Sequence, residues 1–184
     1  MKIMNQKRLT LRPSIFMFIV AIVLISDQVT KSWAEKHLSL DGSGTPVIGH
    51  AFMLTLTHNT GGAWGLMPRG NLFFIGFALV ASIGLVFAYQ RANRELVPGA
   101  AFALALGGAI GNLLDRVRVG YVVDFFDIRI IHWPIFNVAD SAISFSIVLL
   151  LFHLLRTSRT SEEISRSVPV ADAKVSVHRE EKSV

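Results

Sequence analysis

Two aspartates in apolar stretches are the residues of this sequence best suited to chemistry. Asp124 lies within the largely apolar residues 121–131, and Asp140 lies near the start of a long apolar segment. Two carboxyl groups that come close together do not both ionise readily, so such a pair shares one proton. The ionised carboxylate can then act as a base on a water molecule while the protonated carboxyl polarises a carbonyl group. Since this chemistry requires neither a metal nor a cofactor, we predict neither.

Further polar residues lie at or near the ends of long apolar segments, where ionisable groups are costly and by default indicate a functional site. They are Asp27, Lys31, Asn112, Asp115, Arg116, Asp124, Asn137 and Asp140. Asp27 and Lys31 are four residues apart, so they either form a structural ion pair at a helix end or support a site electrostatically. Asp115 and Arg116 either bind a substrate backbone or brace the outer loops. Asp140 alone is equally well explained as a helix-start carboxylate favoured by the helix dipole.

Two segments between the apolar runs have the pattern of β-strands. Residues 52–58 alternate apolar side chains with threonine, and the Asn-Thr-Gly-Gly stretch at 59–62 predicts a turn. Residues 121–131 can also be extended. Because side chains alternate along a strand, Asp127 and Asp124 would point to opposite sides of it. The alternation predicts that Asp127 faces water and that Asp124 faces the apolar side.

The elements that must position these residues are four long apolar segments, near residues 15–31, 72–89, 97–114 and 135–155. Each approaches the roughly 20 mostly apolar residues that a membrane-spanning helix needs. Only 17% of the residues are charged, and the mean hydropathy is +0.50. The first segment is either a retained helix or a cleaved signal peptide, and retention is favoured because no small-x-small cleavage site follows it. The spacing of Gly107 and Gly111 predicts that another helix packs closely against the third segment.

The basic residues predict how these helices cross the membrane. With a cytoplasmic N-terminus, twelve Lys and Arg residues lie on the inner side and six on the outer side, which fits the positive-inside rule. Three tryptophans then lie on the outer side, as interfacial aromatic residues do: Trp33, Trp64 and Trp133. We therefore predict that both termini are cytoplasmic and that the long connections, residues 32–71 and 115–134, lie outside. Residues 1–156 would form one four-helix membrane domain, and the polar residues 157–184 a disordered cytoplasmic tail.

Several functional classes are excluded by composition or left without support. The sequence has no cysteine, which excludes a thiol nucleophile, a disulfide framework and a cysteine-rich metal site. Its six histidines show no metal-ligand spacing, and it has no Gly-x-Ser-x-Gly elbow and no phosphate-binding glycine loop. The net charge of +5 comes from basic residues that flank apolar segments, so we predict no nucleic-acid partner.

Two alternatives to an enzyme stay open. A small transporter could use Asp27, Lys31 and Asp140 as an ion path, although a transporter should place charge near the middle of the membrane and often has repeated halves. No internal repeat is visible in this sequence. A non-catalytic scaffold is the other alternative, and in it the aspartates would only cap helices.

Short motifs that follow one another along the chain resemble the lipoprotein signal peptidase, or signal peptidase II, family. They are Asp-Gln-Val-Thr-Lys at 27–31, Asn-Thr-Gly-Gly-Ala-Trp at 59–64, Gly-Gly-Ala-Ile-Gly-Asn-Leu-Leu-Asp-Arg at 107–116, Val-Val-Asp-Phe at 122–125 and Phe-Asn-Val-Ala-Asp at 136–140. Each motif is weak alone. Their order and spacing, which cover residues 15–155, make the resemblance specific.

The resemblance implies an aspartic endopeptidase in which Asp124 and Asp140 are the catalytic residues. It implies that a second set of residues supports the site or contacts substrate: Asp27, Lys31, Asn59, Gly111, Asn112, Asp115, Arg116, Asn137 and Ala139. The implied reaction removes signal peptides from prolipoproteins by cleavage before a diacylglyceryl-modified cysteine. Membrane lipid and globomycin-like cyclic peptide inhibitors are the further partners that the resemblance implies.

The resemblance also implies a fold and a location. The fold would be an all-α integral membrane protein with four transmembrane helices, a small β-like periplasmic cradle and a short periplasmic amphipathic helix. The protein would be a multi-pass protein of the bacterial inner membrane, with its active site near the periplasmic face.

Overall fold

Four long helices dominate the structure, a computed structural model that describes residues 9–62, 67 and 70–167. They are α1 (Pro13–His37), α2 (Asn71–Arg91), α3 (Leu96–Arg118) and α4 (Val138–Ser167). All four are long and apolar enough to cross a membrane; in α4 the candidate span is Val138–Ser158. The prediction of four membrane-capable helices is therefore confirmed.

α3 packs closely against α1 because glycine leaves room at the contact. A Cβ atom added to Gly107 would lie 2.8 Å from Cβ of Val23 and 3.0 Å from the carbonyl oxygen of Val20. On Gly108, which faces α4, it would lie 2.5 Å from the carbonyl oxygen of Ala139. Small residues at such contacts let helix backbones approach, so the close packing predicted from the glycine spacing is confirmed.

A small antiparallel sheet accompanies the helices. It consists of β1 (Thr45–Ile48), β2 (Phe52–Asn59) and β3 (Val122–Ile128), in the order β1-β2-β3. β2 pairs with β3, with Thr57 opposite Asp124. The extended segments predicted at 52–58 and 121–131 are therefore strands, although β3 ends at Ile128 and a short 3-10 helix follows. The label all-α thus fits only the membrane-capable helices.

The prediction that Asp127 faces water is wrong. Its side chain is buried. Its Oδ2 accepts hydrogen bonds from the Thr55 hydroxyl at 2.8 Å and from Nε of Arg129 at 2.7 Å, which take the place of water. Strand alternation correctly separates Asp127 from its neighbours in the strand but does not say what covers its side. The error was to assume that this side of the strand is open to solvent, whereas β3 is covered on both sides along most of its length.

The predicted bounds of the membrane domain and of its disordered tail stay a prediction. The described residues divide into two compact units, and the boundary between them lies within α4, after Leu150. α4 itself continues to Ser167. An established helix propagates readily into residues of ordinary propensity. Residues 168–184 lie outside the described residues.

The short amphipathic helix implied by the resemblance stays a prediction. Between β2 and α2, residues 63–66 and 68–69 lie outside the described residues, and Trp64 is among them. In the part of the chain that the structure describes, the one short helical element is the 3-10 turn Arg129–Ile131.

Candidate active site

Asp124 and Asp140 lie in the same cleft, which has a volume of about 320 Å³. The polar residues lining it are Asn59, Asn112, Arg116, Asp124, Asp140 and Ser144. Apolar residues line the rest of the cleft, among them Val122, Trp133, Ile135, Phe136 and Ile143. Asp124 comes from β3 and Asp140 from the first turn of α4, so the fold brings together the two aspartates predicted as the catalytic pair.

Asp124 is only 1% exposed, and both of its oxygens accept side-chain hydrogen bonds. Oδ1 accepts from Nδ2 of Asn137 at 2.7 Å, and Oδ2 accepts from Nδ2 of Asn59 at 2.9 Å. The Asn59 amide is itself fixed, because its Oδ1 accepts the backbone N–H groups of Gly61 and Gly62. The turn predicted at 59–62 therefore orients a donor towards Asp124.

Asp140 helps to begin α4 and at the same time faces the cleft. Its backbone N–H donates to Oδ1 of Asn137 at 2.9 Å, and its own Oδ2 accepts the backbone N–H of Asn137 at 3.3 Å. This reciprocal arrangement is a capping box, which satisfies donors at a helix start. Oδ1 of Asp140 accepts from Nδ2 of Asn112 at 2.8 Å. The helix-start interpretation of Asp140 is therefore confirmed, and its position in the cleft is compatible with the functional role, which stays a prediction.

The pKa of Asp124 is raised to about 7, mainly by burial and in smaller part by the neighbouring charge of Asp140. The hydrogen bond from Asn59, the charge of Lys31 and the hydrogen bond from Asn137 oppose the rise. Desolvation disfavours the charged form of a carboxyl group, and a like charge nearby does the same. A carboxyl group in this position holds its proton near neutral pH.

Lys31 lies at the centre of a buried polar network behind the cleft. Its Nζ is 2.8 Å from Oδ2 of Asp27, from Oδ2 of Asp115 and from Oδ1 of Asn112. Lys31 and Asp27 are 3% and 0% exposed, and α1 continues to His37, so the pair does not cap the end of the helix. Because Asn112 donates to Asp140, Lys31 orients the amide that holds one member of the aspartate pair.

Asp27 connects α1 to the start of α4. Its Oδ1 accepts the backbone N–H of Ala139 at 2.9 Å, and a carboxylate at a helix N-terminus is favoured by the helix dipole. A Cβ atom on Gly111 would lie 2.6 Å from Oδ2 of Asp27 and 3.5 Å from Cβ of Ala139. Gly111 and the fully buried Ala139 are therefore small because this contact leaves no room.

Asp115 ties α3 to the strand that carries Asp124. Its Oδ2 accepts the backbone N–H of Val123 at 3.2 Å, and its Oδ1 accepts from Nε2 of Gln28 at 3.0 Å. Gln28 also donates to Asp27 and to the carbonyl oxygen of Gly111. Sequence reasoning does not identify Gln28 as a site residue, and its place beside Asp27 in the motif was the only signal.

Arg116 lines the cleft but belongs only loosely to the network. Its Nη1 donates to the carbonyl oxygen of Asn112 at 3.4 Å, and its guanidinium carbon lies 4.8 Å from the ring centroid of Phe74. Its buried Nε has no hydrogen-bond partner within the described part of the chain. Of the two roles predicted for Asp115 and Arg116, bracing fits Asp115, whereas Arg116 keeps donor capacity on the cleft side.

The helices and the cleft together define a multi-pass membrane protein with two carboxyl groups in one cleft, one of them buried and the other partly exposed, an arrangement suited to hydrolysis. Among the side chains that the structure describes, in residues 9–62, 67 and 70–158, there is no group of three His, Cys, Asp or Glu placed to hold a metal ion. The model of the signal peptidase (SPase) II family matches residues 19–156. The chain belongs to the signal peptidase II family. Enzymes of this family are proteases that remove signal peptides from prolipoproteins, and this chain is one of them.

Individual relatives agree with the family assignment. The chain is 42% identical over 142 residues to the lipoprotein signal peptidase of Moorella thermoacetica, a match that covers 76% of this chain and 92% of the relative. It is 45% identical over 132 residues to that of Caldanaerobacter subterraneus subsp. tengcongensis, covering 72% and 90%. A bacterial membrane enzyme solved by the in meso method at 2.3 Å is 32% identical with a TM-score of 0.76, covering 83% of this chain and 94% of that one.

Proposed function

We propose that Asp124 and Asp140 are the catalytic pair with which this chain cleaves prolipoproteins immediately before a diacylglyceryl-modified cysteine. The observation that carries the proposal is their position in one cleft, each held by amide donors, with a pKa of Asp124 of about 7. The other carboxylates of the site, Asp27 and Asp115, are bound to Lys31 behind the cleft, so they are not free to activate water.

The lining of the cleft fits a lipid-modified peptide. Polar groups gather around the two aspartates, while Val122, Phe136 and Ile143 give the same cleft an apolar wall. A scissile peptide bond would lie at the carboxyl pair, and the acyl chains of the modified cysteine would leave along apolar surface into the bilayer. Exposed Trp33 and Trp133 are suited to the interface with membrane lipid.

The two aspartates would hydrolyse the peptide bond directly with water. The ionised carboxylate takes a proton from the water molecule, whose oxygen attacks the carbonyl carbon, while the protonated carboxyl gives its proton to the carbonyl oxygen. A tetrahedral diol results. When it collapses, the nitrogen of the leaving cysteine receives a proton from the pair and the C–N bond breaks. The products are a new carboxylate on the signal peptide and a free amino group on the cysteine.

The proposed location is the bacterial inner membrane, with both termini in the cytoplasm and the cleft near the periplasmic face. The asymmetry of Lys and Arg residues supports this orientation. Globomycin-like cyclic peptides are proposed to inhibit by occupying the cleft, since a closed peptide ring can present carbonyl groups to the aspartates without offering a cleavable bond in the right geometry.

The test of this function uses the purified full chain in detergent with two forms of one prolipoprotein, diacylglyceryl-modified and unmodified. Mass spectrometry should find a product from the modified form that begins at the modified cysteine, and globomycin should suppress it. Cleavage of the unmodified form at an equal rate would contradict the proposed lipid requirement. Cleavage at another bond would contradict the proposed site of action.

A further inference from the structure

Phe74 of α2 is in contact with an arginine of the cleft, although α2 supplies none of the cleft-lining residues. The guanidinium carbon of Arg116 lies 4.8 Å from the centroid of the Phe74 ring, within the range of a cation–π interaction. A second contact joins the same two helices, because Nδ2 of Asn71 donates to the backbone carbonyl of Arg116 at 3.2 Å. The start of α2 therefore fixes both the backbone and the side chain of Arg116.

The position of the Phe74 ring is itself set by the turn that follows β2. A Cβ atom on Gly62 would lie 2.7 Å from Cζ of Phe74, and Gly62 has φ +74, a conformation that favours glycine. The backbone N–H of Gly62 donates to Oδ1 of Asn59, whose amide holds Asp124. The ring thus fits between Arg116 and the same turn that orients a donor to the aspartate.

Hydrogen bonds alone do not hold the guanidinium of Arg116. Its bond to the carbonyl oxygen of Asn112 is long, at 3.4 Å, and its buried Nε lacks a partner among the described residues. A guanidinium can stack one face on an aromatic ring and still donate in its own plane. Here the Phe74 ring contacts the guanidinium and Arg116 lines the cleft, so the N–H groups that remain without a partner can donate to an acceptor there.

We propose that Phe74 is a positioning residue that holds Arg116 ready to donate to a carbonyl oxygen of the substrate backbone. This inference rests on the proposed function, because it assigns the acceptor to a peptide in the cleft. Arg116 would contact the same carbonyl before and during the reaction. Loss of such uniform binding raises KM and leaves kcat nearly unchanged.

The experiment compares Phe74→Leu with Phe77→Leu, a matched change at an exposed residue of the same helix. Both are assayed for prolipoprotein cleavage alone and in combination with Arg116→Gln. We expect Phe74→Leu to raise KM about 3- to 10-fold with kcat within about two-fold, and Phe77→Leu to change neither. In the Arg116→Gln background Phe74→Leu should have little further effect, since contacting residues are not additive.

Two results would overturn the inference. One is a KM for Phe74→Leu equal to that of Phe77→Leu, and the other is the same KM increase for Phe74→Leu with and without Arg116. If Phe74→Leu does not fold, as judged by thermal unfolding in detergent, Phe74→Met replaces it. A failure here is separable from failure of the aspartate mechanism, because the loss of cleavage expected for Asp124→Asn is measured with Phe74 and Arg116 unchanged.

Discussion

At the scale of single residues, three asparagines hold the carboxyl groups of the two aspartates in place. Asn59 and Asn137 donate to Asp124, and Asn112 donates to Asp140. Amide donors hold a carboxyl group in place without the full charge of a lysine, so they constrain geometry while leaving burial to raise the pKa of Asp124. Lys31 is kept one step away, bound to the oxygen of the Asn112 amide.

The raised pKa of Asp124 predicts a specific dependence of stability on pH. Between about pH 4 and pH 7 the unfolded chain loses this proton while the folded chain keeps it. The stabilisation is therefore fully present below the ordinary pKa near 3.8 and is lost as the pH rises through about 7. Thermal unfolding in detergent should show a larger loss of stability from pH 5 to pH 8 in the wild type than in Asp124→Asn, which has no titrating group at position 124. Equal losses in the two proteins would contradict the assignment.

At the scale of elements, the start of α4 has two tasks that share one residue. Asn137 caps the helix through its side-chain oxygen, which accepts the backbone N–H of Asp140. Its side-chain nitrogen donates to Asp124, to the carbonyl oxygen of Val123 and to Asn112. Asn137 therefore connects the start of α4 to the site, because its oxygen binds the backbone of Asp140 and its nitrogen binds the side chain of Asp124.

These two tasks can be separated by substitution. Asn137→Ala removes the cap and the donor, and should cost about 0.5–2 kcal/mol of stability together with most of the cleavage rate. Asn137→Ser keeps an oxygen for the cap but has no amide nitrogen for Asp124, so it should recover most of the stability and little of the rate. Thermal unfolding and cleavage assays on the same preparations check this, and full recovery of cleavage in Asn137→Ser would refute a role for the amide.

The four helices and the importance of the two aspartates could be predicted from the sequence because both leave local signals. Apolar length marks the helices, and motif order marks Asp124 and Asp140. Sequence reasoning failed for Asp127 because strand alternation does not tell which side of a strand is covered. It also did not predict the contact of Gln28 with Asp115 or that of Phe74 with Arg116, each of which joins residues far apart along the chain. Tertiary contacts of this kind have no periodicity that a single sequence displays.

At the scale of the whole molecule, the polar network lies towards one end of the helices. Lys31 is in the last two turns of α1, Asp115 in the last turn of α3 and Asp140 in the first turn of α4. α1 and α3 finish where α4 begins, so these helices deliver charge to the same end. A transporter would place such groups near mid-membrane, so this placement favours the peptidase over that alternative.

The proposed orientation can be measured because the chain has no native cysteine. Ser43→Cys, in the loop before β1, and Gln90→Cys, in the last turn of α2, are both at exposed positions. In intact spheroplasts a membrane-impermeant maleimide should label Ser43→Cys and leave Gln90→Cys unlabelled until the cells are lysed. The reverse pattern would place the cleft on the cytoplasmic side and contradict the proposal.

The most direct test of the account measures prolipoprotein cleavage by Asp124→Asn, Asp140→Asn and Asp127→Asn beside the wild type. Asparagine keeps the shape of the side chain but can neither act as a base nor carry the shared proton. With all variants folded in the membrane, the first two should lose roughly 10²–10⁴-fold in rate or more. Asp127→Asn, buried in the same strand but bound to Thr55 and Arg129, should stay within a few-fold of the wild type. Cleavage near the wild-type rate by either Asp124→Asn or Asp140→Asn would contradict the carboxyl-pair mechanism.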